Sequence, residues 1–473
     1  MHKRIKHLIK NLKNVFDVDE INRIAKETKF VQRKSSINAK DFLVFNVFHG
    51  ADICSSSLSQ LASKYDVLFD TQVSKQALDK RFNKNSVEFM QAIFNQMMLN
   101  QNATLKDLEN VLNYHFNRVI INDSTGYALP KEFTKEFQGA GGSGSPSSIK
   151  IQLQYELLTG SFMRIDIFSG TKNDTEYLNV MKKDKEYNDL KLADLGYFKI
   201  EYLKEIDKSG SSFISKIKSN TSLYMKNPNP KKTKSGDIIK CSEYIKIDVI
   251  ELANPLAEGE TIELNDIYIG SKKELKSRLI ITKLTEENKI KREFTHKENI
   301  RKKNITASKG RSNFNSVNVY ITNVTSKVLA STQVHDLYTL RWQIEIMFKV
   351  WKSIFKVSQV KKVKMERFKC FLYGRLIALL LSSSIVFTAK NTIWEEDNKE
   401  ISEIKSFGAL AQYLPKLAHE IFKGEVCIIR ILQRIILSFK RLGIKSRKKH
   451  RKTVFDILEI IELKADEIEK IAI

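Results

Sequence analysis

The segment Leu337–Lys352 limits the structures open to this chain more than any other stretch. Its sequence, LYTLRWQIEIMFKVWK, has neither proline nor glycine and consists mainly of residues that are compatible with a helix. At about 100° per residue, the apolar side chains fall on one broad face. On the opposite side, Tyr338, Arg341, Glu345 and Lys352 share a stripe about 60° wide. The segment therefore predicts one amphipathic helix that holds a carboxylate among cations and a phenol, as a metal-assisted phosphate site requires.

The same helix also has a plain structural interpretation. Arg341 and Glu345 are four residues apart, as are Glu345 and Lys349, and each such pair stabilises a solvated helix by about 0.2–0.5 kcal/mol. For the helix alone, a salt-bridged surface is the more common outcome. Lys349 borders the polar stripe and is a further candidate for phosphate contact. The rest of the chain has to decide between the two interpretations.

An excess of positive charge indicates a polyanionic partner. Lysine and arginine number 80 against 55 aspartate and glutamate residues, which gives a formal net charge of +25 over 473 residues. A surplus of this size is typical of proteins that bind nucleic acid, although biased codon usage also enriches lysine. Hydrophobic residues make up 42% of the chain, as expected for a folded protein. The four cysteines form no CxxC pair, which argues against a zinc site and against a disulfide framework.

The hydrophobic segments do not predict a membrane protein. The longest apolar run, Leu376–Phe387, is too short to cross a bilayer and contains three serines, so it predicts a buried helix. The basic N-terminal stretch lacks the apolar centre of a signal peptide. We expect a cytoplasmic protein.

The N-terminal region is predicted to be helical and to bind DNA. Two short amphipathic segments, Leu58–Tyr65 and Val73–Asn83, follow one another within residues 58–83 and fit a helix-turn-helix. In that arrangement Lys75 and Arg81 on the second helix would face DNA. A plain helical hairpin has the same pattern, so both interpretations stay open.

Beyond residue 115 the sequence changes to short strands. Arg118–Asp123, Ile149–Glu156 and Met163–Phe168 predict an antiparallel meander, in which the strict alternation of the second segment indicates a half-exposed strand. Leu190–Asp194 predicts a strand that ends at an aspartate and runs into a helix. Strand ends of this kind form sites in mixed α/β sheets.

These features divide the chain into predicted domains. A helical domain with the possible helix-turn-helix covers 1–115, and an α/β core covers 116–215 and 325–390. A β-rich insertion covers 216–324. The remaining residues, 391–473, form a helical and basic C-terminal region that is a candidate for dimerisation and contains the dense basic run Lys440–Lys452.

Three carboxylates lie on separate elements of the predicted core. Asp123 and Asp194 each end a predicted strand, and Glu345 projects from the helix after the insertion. Carboxylate oxygens suit Mg²⁺, and a two-metal site activates an attacking oxygen and stabilises the leaving oxygen in displacement at phosphorus. Taken singly, Asp123 also fits a turn and Asp194 also fits a helix cap. Asp166, in the middle of a predicted strand, is a competing carboxylate.

The spacing Tyr338-x2-Arg341-x3-Glu345-x6-Lys352 resembles the YREK signature of DDE transposases of the insertion sequence 4 family. The resemblance extends to the motif Asn122-Asp-Ser-Thr and to the motif Ala193-Asp-Leu-Gly-Tyr. It implies an α/β fold with a ribonuclease H-like mixed-sheet catalytic core that is interrupted by the β-rich insertion, between all-α N- and C-terminal regions.

The resemblance also implies a function and assigns roles. It implies that residues 1–115 form a DNA-end-binding domain and that the protein acts in the bacterial cytoplasm, in association with the nucleoid. Asp123, Asp194 and Glu345 would be the catalytic metal ligands for two Mg²⁺ ions, with Mn²⁺ as a substitute. The signature residues Tyr338, Arg341 and Lys352 would contact phosphates of double-stranded transposon-end DNA. A synaptic homodimer would nick the ends by hydrolysis and join the 3′-hydroxyl ends to target DNA by cut and paste, in many relatives through a hairpin.

One departure from the family pattern concerns the hairpin step. Relatives often place a tryptophan in the insertion, where it stacks on a flipped base, but the corresponding strand Val317–Asn323 has none. Tyr320 is the aromatic residue of that strand, and strand packing is its more common role.

Two other functions are compatible with the sequence. One is a transposase-derived DNA-binding protein that no longer cleaves. The other is a nuclease that hydrolyses DNA without joining the ends. The complete set of carboxylates favours the active transposase.

Overall fold

The structure is a computed structural model that describes residues 3–107, 116–142, 144–181, 188–303, 314–446 and 452–458. Residues 447–451 of the predicted basic run Lys440–Lys452 lie outside the described residues, as do residues 459–473 of the predicted C-terminal region. The chain divides into two compact units. The first comprises Met1–Val111, Asp123–Lys172 and Trp342–Arg451, and the second comprises Leu112–Asn122, Asn173–Arg341 and Lys452–Ile473. The functional domains expected from the sequence stay predictions.

The first unit is mainly helical. Its helices are α1 (Lys3–Val15), α2 (Val18–Glu27), α3 (Ala39–Phe48), α4 (Leu58–Phe69), α5 (Lys75–Arg81), α6 (Lys84–Asp107), α12 (Trp342–Ser353), α13 (Met365–Asp397), α14 (Glu403–Glu420) and α15 (Glu425–Ser438). Its strands are β2 (Ser148–Glu156), β3 (Phe162–Ser169) and the second half of β1 (Arg118–Ala128). The helical character predicted for both flanks of the core is confirmed in the described residues.

Helix α13 is the core of the first unit. By length and composition alone it could cross a membrane, but 89% of its most apolar window is buried inside the protein, as in the core helix of a soluble domain. The predicted buried helix at Leu376–Phe387 is therefore confirmed. Gly374 allows close packing, because a Cβ there would lie 2.6 Å from the backbone oxygen of Asn46. The buried guanidinium of Arg375 donates to the oxygens of Asn46 and Val47 (2.7 and 2.6 Å) and so satisfies carbonyls at the end of α3.

The second unit is built on a sheet. Its strands are the first half of β1, β4 (Asp189–Ala193), β5 (Ser212–Lys216), β6 (Leu223–Lys226), β7 (Tyr244–Lys246), β8 (Thr261–Ile269), β9 (Leu275–Lys283) and β10 (Val317–Thr322). Its helices are α7 (Asp174–Met181), α8 (Ile200–Lys208), α9 (Val249–Ala253), α10 (Glu286–Lys303) and α11 (Ser331–Thr339).

The described strands form one mixed sheet of ten strands in the order β3-β2-β1-β4-β5-β10-β9-β8-β6-β7. β1, β4 and β5 are parallel neighbours, whereas β2 with β3 and the strands from β10 to β7 pair antiparallel. Strands β6 to β10 lie within the predicted insertion, 216–324. β10 pairs with β5, and β6 to β9 extend the sheet beyond β10. The predicted mixed α/β class is confirmed.

The predicted single helix over Leu337–Lys352 is wrong. α11 ends at Thr339 and α12 begins at Trp342, so a turn separates them. In this turn Leu340 and Arg341 donate to carbonyls three residues back, Leu337 and Tyr338, which tightens the backbone. The Thr339 hydroxyl also donates to the Asp336 oxygen (2.5 Å), a bond that competes with regular helix geometry. The stripe of four polar residues on one straight helix therefore does not exist.

Two strand predictions also need correction. The first strand does not end at Asp123 but continues to Ala128, because its second half pairs with β2 after the parallel pairing with β4 has ended. β2 is not half exposed, since both of its faces are covered. Its last residue, Glu156, is 1% exposed and accepts hydrogen bonds from the backbone N–H groups of Leu158 and Thr159 (3.1 and 2.7 Å). These bonds satisfy the buried carboxylate at the turn to β3.

A buried ionic network ties the end of α13 to the following segment. The ammonium of Lys390, whose side chain is 3% exposed, lies 2.5 Å from Glu403 and 3.6 Å from Glu400. Lys445 pairs with Glu400 from the other side at 3.0 Å. Removal of one member leaves buried charges without compensation.

We predict that Lys390→Met destabilises the protein by about 3–5 kcal/mol, because two buried carboxylates lose their shared cation. Urea unfolding followed by circular dichroism measures the loss. The matched control is Lys423→Met, which breaks the exposed i,i+3 pair with Glu420 and should cost less than about 1 kcal/mol. Equal losses in the two variants would show that the buried network stabilises the protein no more than an exposed ion pair does.

Candidate active site

The predicted aspartates follow the end of one parallel ladder. β1 and β4 pair in parallel from Arg118 opposite Asp189 to Asn122 opposite Ala193. The next residue of each strand is a predicted ligand, Asp123 in the first case and Asp194 in the second. Because backbone pairing fixes the register, both carboxylates are attached at the same end of this ladder.

The local environment of each aspartate excludes its simpler interpretation. Asp123 lies within β1, half buried, and its Oδ1 accepts a hydrogen bond from the N–H of Ser124 (2.8 Å), so it does not form a turn. Asp194 is exposed and precedes the short 3-10 helix Leu195–Tyr197. Its carboxylate makes no capping bond to this helix, all of whose residues the structure describes. A capping role for Asp194 is therefore wrong.

Tyr338 contacts the strand that leads into Asp194. Its hydroxyl donates to the backbone oxygen of Ala193 at 3.2 Å, and the side chain is buried, at 5% exposure. The sequence pattern placed Tyr338 on the polar stripe opposite the apolar face, whereas the structure buries its side chain. The hydroxyl connects α11 directly to the end of β4, within the second unit.

Tyr320 packs against Tyr338 in the second unit. The two ring centroids are 5.1 Å apart, and the Tyr320 hydroxyl is hydrogen-bonded to Nδ1 of His335 at 2.7 Å. Only 1% of Tyr320 is exposed. The prediction that this residue packs within the sheet is confirmed, and its ring is not accessible to a flipped base.

Lys216 is a residue of this region that the sequence analysis did not single out. It ends β5, and its ammonium lies 5.4 Å from the centroid of the Tyr338 ring. Burial lowers the pKa of Lys216, and the positive charges of Arg292 and Arg341 lower it further. The carboxylate of Asp194 acts in the opposite direction. The one signal in the sequence was a basic residue at the end of a strand, and no motif marked it.

Arg341 is also buried rather than solvated. It is 8% exposed and occupies the turn after α11, at the boundary of the second unit. Arg292 of α10 is bound to the backbone oxygen of Val317 and to Oδ1 of Asn318, each at 2.7 Å. Both guanidinium groups and the carboxylate of Asp194 are thus close enough to Lys216 to affect its charge.

Glu345 and Lys352 belong to α12 in the first unit. The helix buries an apolar face that comprises Ile344, Met347, Phe348, Val350 and Trp351. Glu345 is half buried, and Lys349 is exposed. Lys352 donates to the backbone oxygen of Gly126 at 2.9 Å, three residues after Asp123, and partial burial lowers its pKa. The apolar face and this bond hold α12 against β1.

The two residues predicted to contact DNA from the N-terminal region differ in their surroundings. Lys75 is exposed at the start of α5. Arg81, at the end of α5, lies over the ring of Phe30 at 3.9 Å and donates to the backbone oxygen of Ile37 at 2.8 Å. The guanidinium of Arg81 is therefore used within the protein. Contact of either residue with DNA stays a prediction.

The three predicted metal ligands are distributed over both units, with Asp123 and Glu345 in the first and Asp194 in the second. Across the described ranges of the chain, no group of three His, Cys, Asp or Glu side chains is arranged to hold a metal ion. The donors nevertheless fit Mg²⁺ in type, since all three offer oxygen ligands and none is completely buried.

Comparisons with known proteins agree with one another. Residues 114–381 match the family described as "Transposase DDE domain". The chain is 67% identical over 473 residues to the transposase for insertion sequence element IS1151 of Clostridium perfringens, with 100% of both chains covered. It is 36% identical over 465 residues to the transposase for insertion sequence element IS231F of Bacillus thuringiensis subsp. israelensis, with 98% of this chain and 96% of that protein covered.

One solved structure aligns with most of the chain. It is the cryo-EM structure of a piggyBac transposase synaptic complex with hairpin DNA, with a TM-score of 0.48 and 11% identity. The alignment covers 95% of this chain and 87% of the other.

We predict that Tyr338→Phe lowers the free energy of unfolding by about 1 kcal/mol, because the hydrogen bond from its hydroxyl to the backbone oxygen of Ala193 is lost. Urea unfolding measures this change. A Tyr413→Phe variant reports the general cost of removing a half-buried tyrosine hydroxyl. If Tyr338→Phe is no less stable than that control, the hydroxyl does not hold α11 to β4.

Proposed function

This chain belongs to the DDE-domain family of insertion-sequence transposases, which are DNA-cleaving and strand-transferring enzymes, and we propose that it excises its own element and inserts it elsewhere. In this proposal the protein binds the element ends, nicks them by hydrolysis and joins the 3′-hydroxyl ends to target DNA. The observation that carries the proposal is the ladder of β1 and β4, whose last pair is followed on both strands by a carboxylate.

We assign the chain to the insertion sequence 4 group within this family. The support is the spacing of Tyr338, Arg341, Glu345 and Lys352, together with the strand order β3-β2-β1-β4-β5. That order, with β1, β4 and β5 parallel and β2 and β3 antiparallel, is the arrangement expected of a ribonuclease H-like core.

Asp123, Asp194 and Glu345 are proposed as the ligands of two Mg²⁺ ions, for which Mn²⁺ can substitute. Bound ions of this kind lower the pKa of a water molecule and stabilise negative charge on the leaving oxygen. Support for the ligands comes from their donor type and from the register of the strands, and not from an assembled metal centre. The chain supplies the carboxylates, and no side-chain nucleophile is needed.

The cations near these carboxylates are proposed to hold phosphates of the DNA. Arg341 offers planar guanidinium donors, which suit phosphate oxygens. Lys352 carries three N–H donors, so it can keep its bond to Gly126 and still bind a phosphate. Lys349, exposed on the same helix, adds a further charge.

Tyr338 differs from these cations because its hydroxyl has a single hydrogen. That hydrogen is donated to Ala193 in the structure. Tyr338 can donate to a phosphate only if it gives up this bond. We therefore assign Tyr338 first to the positioning of the strand that leads to Asp194, and to DNA contact second.

We propose that regions outside the candidate active site also bind the DNA. A formal net charge of +25 matches double-stranded DNA as the partner. We propose that the N-terminal helices, with Lys75 and Arg81, recognise the element ends, and that the protein works as a homodimer that holds two ends, through its C-terminal helices. Its place of action would be the bacterial cytoplasm.

Hairpin formation lies outside this proposal. It would need an accessible aromatic ring to stack on the flipped base. Tyr320 is only 1% exposed, and its hydroxyl is hydrogen-bonded to His335. The proposal therefore comprises nicking and strand transfer. A DNA-binding protein without cleavage activity is the second candidate, and a nuclease that does not join ends is the third.

We predict that Asp123→Asn, Asp194→Asn or Glu345→Gln lowers Mg²⁺-dependent cleavage by about three orders of magnitude or more, because each removes a metal ligand. The substrate is a duplex with the terminal sequence of the element that carries this reading frame. Binding of the same duplex, measured by fluorescence anisotropy, should change less than about threefold, because the contacts with DNA phosphates are kept.

The matched control is Asp166→Asn, which removes a carboxylate of β3 that pairs with Arg164 at 2.6 Å. It should cleave like the wild-type protein. Cleavage by Asp123→Asn at the wild-type rate would refute the site. If the wild-type protein binds but never cleaves, the second candidate function replaces the first, and cleaved ends that never join would favour the third.

A further inference from the structure

Lys216 occupies a position in the sheet that corresponds to that of Asp194. β4 and β5 are parallel, with Leu192 opposite Ile214. Asp194 and Lys216 each lie two residues beyond this pair. The register therefore brings a lysine to the same end of the sheet as a predicted ligand, one strand away.

Two aromatic faces hold the Lys216 ammonium. It lies 5.4 Å from the ring centroid of Tyr338 and 6.0 Å from that of Tyr320, which is the range of cation–π attraction. Both rings are fixed by their hydroxyl groups, Tyr338 through Ala193 and Tyr320 through His335. The ammonium of Lys216 is thus held in position by buried, hydrogen-bonded rings rather than by a flexible ion pair.

Charged groups of both signs lie near Lys216. Arg292 and Arg341 are close enough to disfavour its positive charge, and the carboxylate of Asp194 favours it. A phosphate bound to the Lys216 ammonium would add negative charge beside a cation whose charge the two guanidinium groups disfavour.

The guanidinium of Arg292 is already engaged. It donates to the Val317 oxygen and to Asn318, so it supplies positive charge while its donors hold α10 to β10. An ammonium has three N–H donors, and ring faces attract its charge without taking the place of an anionic acceptor. The Lys216 ammonium can therefore donate to a ligand, in addition to the phosphate contact proposed above for Arg341.

We propose that Lys216 binds a phosphate of the DNA strand beside Asp194, and that the faces of Tyr320 and Tyr338 position its ammonium for this contact. The inference rests on the proposed function, and it adds a phosphate-binding residue that the YREK signature does not contain. The alternative is a purely structural role, in which Lys216 only packs on the tyrosines. The experiment must distinguish this role from phosphate binding.

The test compares three variants of the full-length protein, Lys216→Met, Lys216→Arg and Lys204→Met. Methionine keeps the aliphatic stem but removes the charge, and arginine keeps the charge. Lys204, in the same unit, pairs with Glu274 at 2.9 Å and is the control for the loss of one positive charge. Binding of the element-end duplex is measured by fluorescence anisotropy between about 50 and 200 mM salt, and log K is plotted against log salt.

One lost phosphate contact lowers the magnitude of the salt slope by about 0.9. We expect this decrease for Lys216→Met, with affinity about tenfold weaker at low salt, and near wild-type slopes for Lys216→Arg and Lys204→Met. A wild-type slope for a folded Lys216→Met would overturn the proposal. Equal decreases in Lys216→Met and Lys204→Met would also overturn it, because they would reflect net charge alone.

Acetylation footprinting on the wild-type protein covers the case in which Lys216→Met does not fold. The rate of Lys216 acetylation by acetic anhydride, read by mass spectrometry, should fall severalfold when the duplex is added, and that of Lys204 should not. Unchanged Lys216 acetylation would contradict the proposal. Mg²⁺-dependent cleavage is scored separately, so protection of Lys216 without any cleavage would refute the proposed function and leave the Lys216 contact standing.

Discussion

The parallel ladder between β1 and β4 is the constraint on which the rest of the site depends. Backbone hydrogen bonds set Asn122 opposite Ala193, and each of these residues is followed by an aspartate. A shift of one residue in this register would turn one carboxylate to the other face of the sheet. The proposed chemistry therefore depends on the main-chain pairing of β1 with β4, because this pairing determines the positions of the two aspartates.

Both helices that follow the insertion are fixed through backbone oxygens of strands. Tyr338 of α11 binds the oxygen of Ala193, and Lys352 of α12 binds the oxygen of Gly126. These bonds fix the helices on either side of the break at Leu340 and Arg341 separately. Each helix has its own anchor, so one rigid helix is not required to bring the signature residues to their strands.

Much of the fold follows from local sequence patterns. The strand segments around Ile149 and Met163 could be predicted from the alternation of their side chains, and the buried helix at Leu376 from its continuous apolar run. The alternation around Ile149 did not predict that both faces of β2 are covered. The helix break could not be predicted, since propensity and periodicity both favour a continuous helix across Leu340. The tight turn depends on a hydrogen bond from Thr339 and on packing that buries Arg341, and these are tertiary effects.

The candidate site was predictable in its residue types but not in its full membership. Asp123, Asp194 and Glu345 stand in recognisable motifs, whereas Lys216 belongs to none. Its relation to the site comes from the register of β4 with β5 and from the ring of Tyr338, which the chain brings there from more than a hundred residues away. Such relations exist only after the sheet has formed. The burial of Tyr320 followed from its place in an apolar strand, so that expectation was correct.

The most direct test of the central claim is a crystal structure of the protein with Mn²⁺ and an element-end duplex, with the ions located by anomalous scattering. Our account predicts that one Mn²⁺ ion is bound by oxygens of both Asp123 and Asp194, at about 2.1 Å from each. Ions bound elsewhere on the protein, with these two carboxylates sharing none of them, would contradict it.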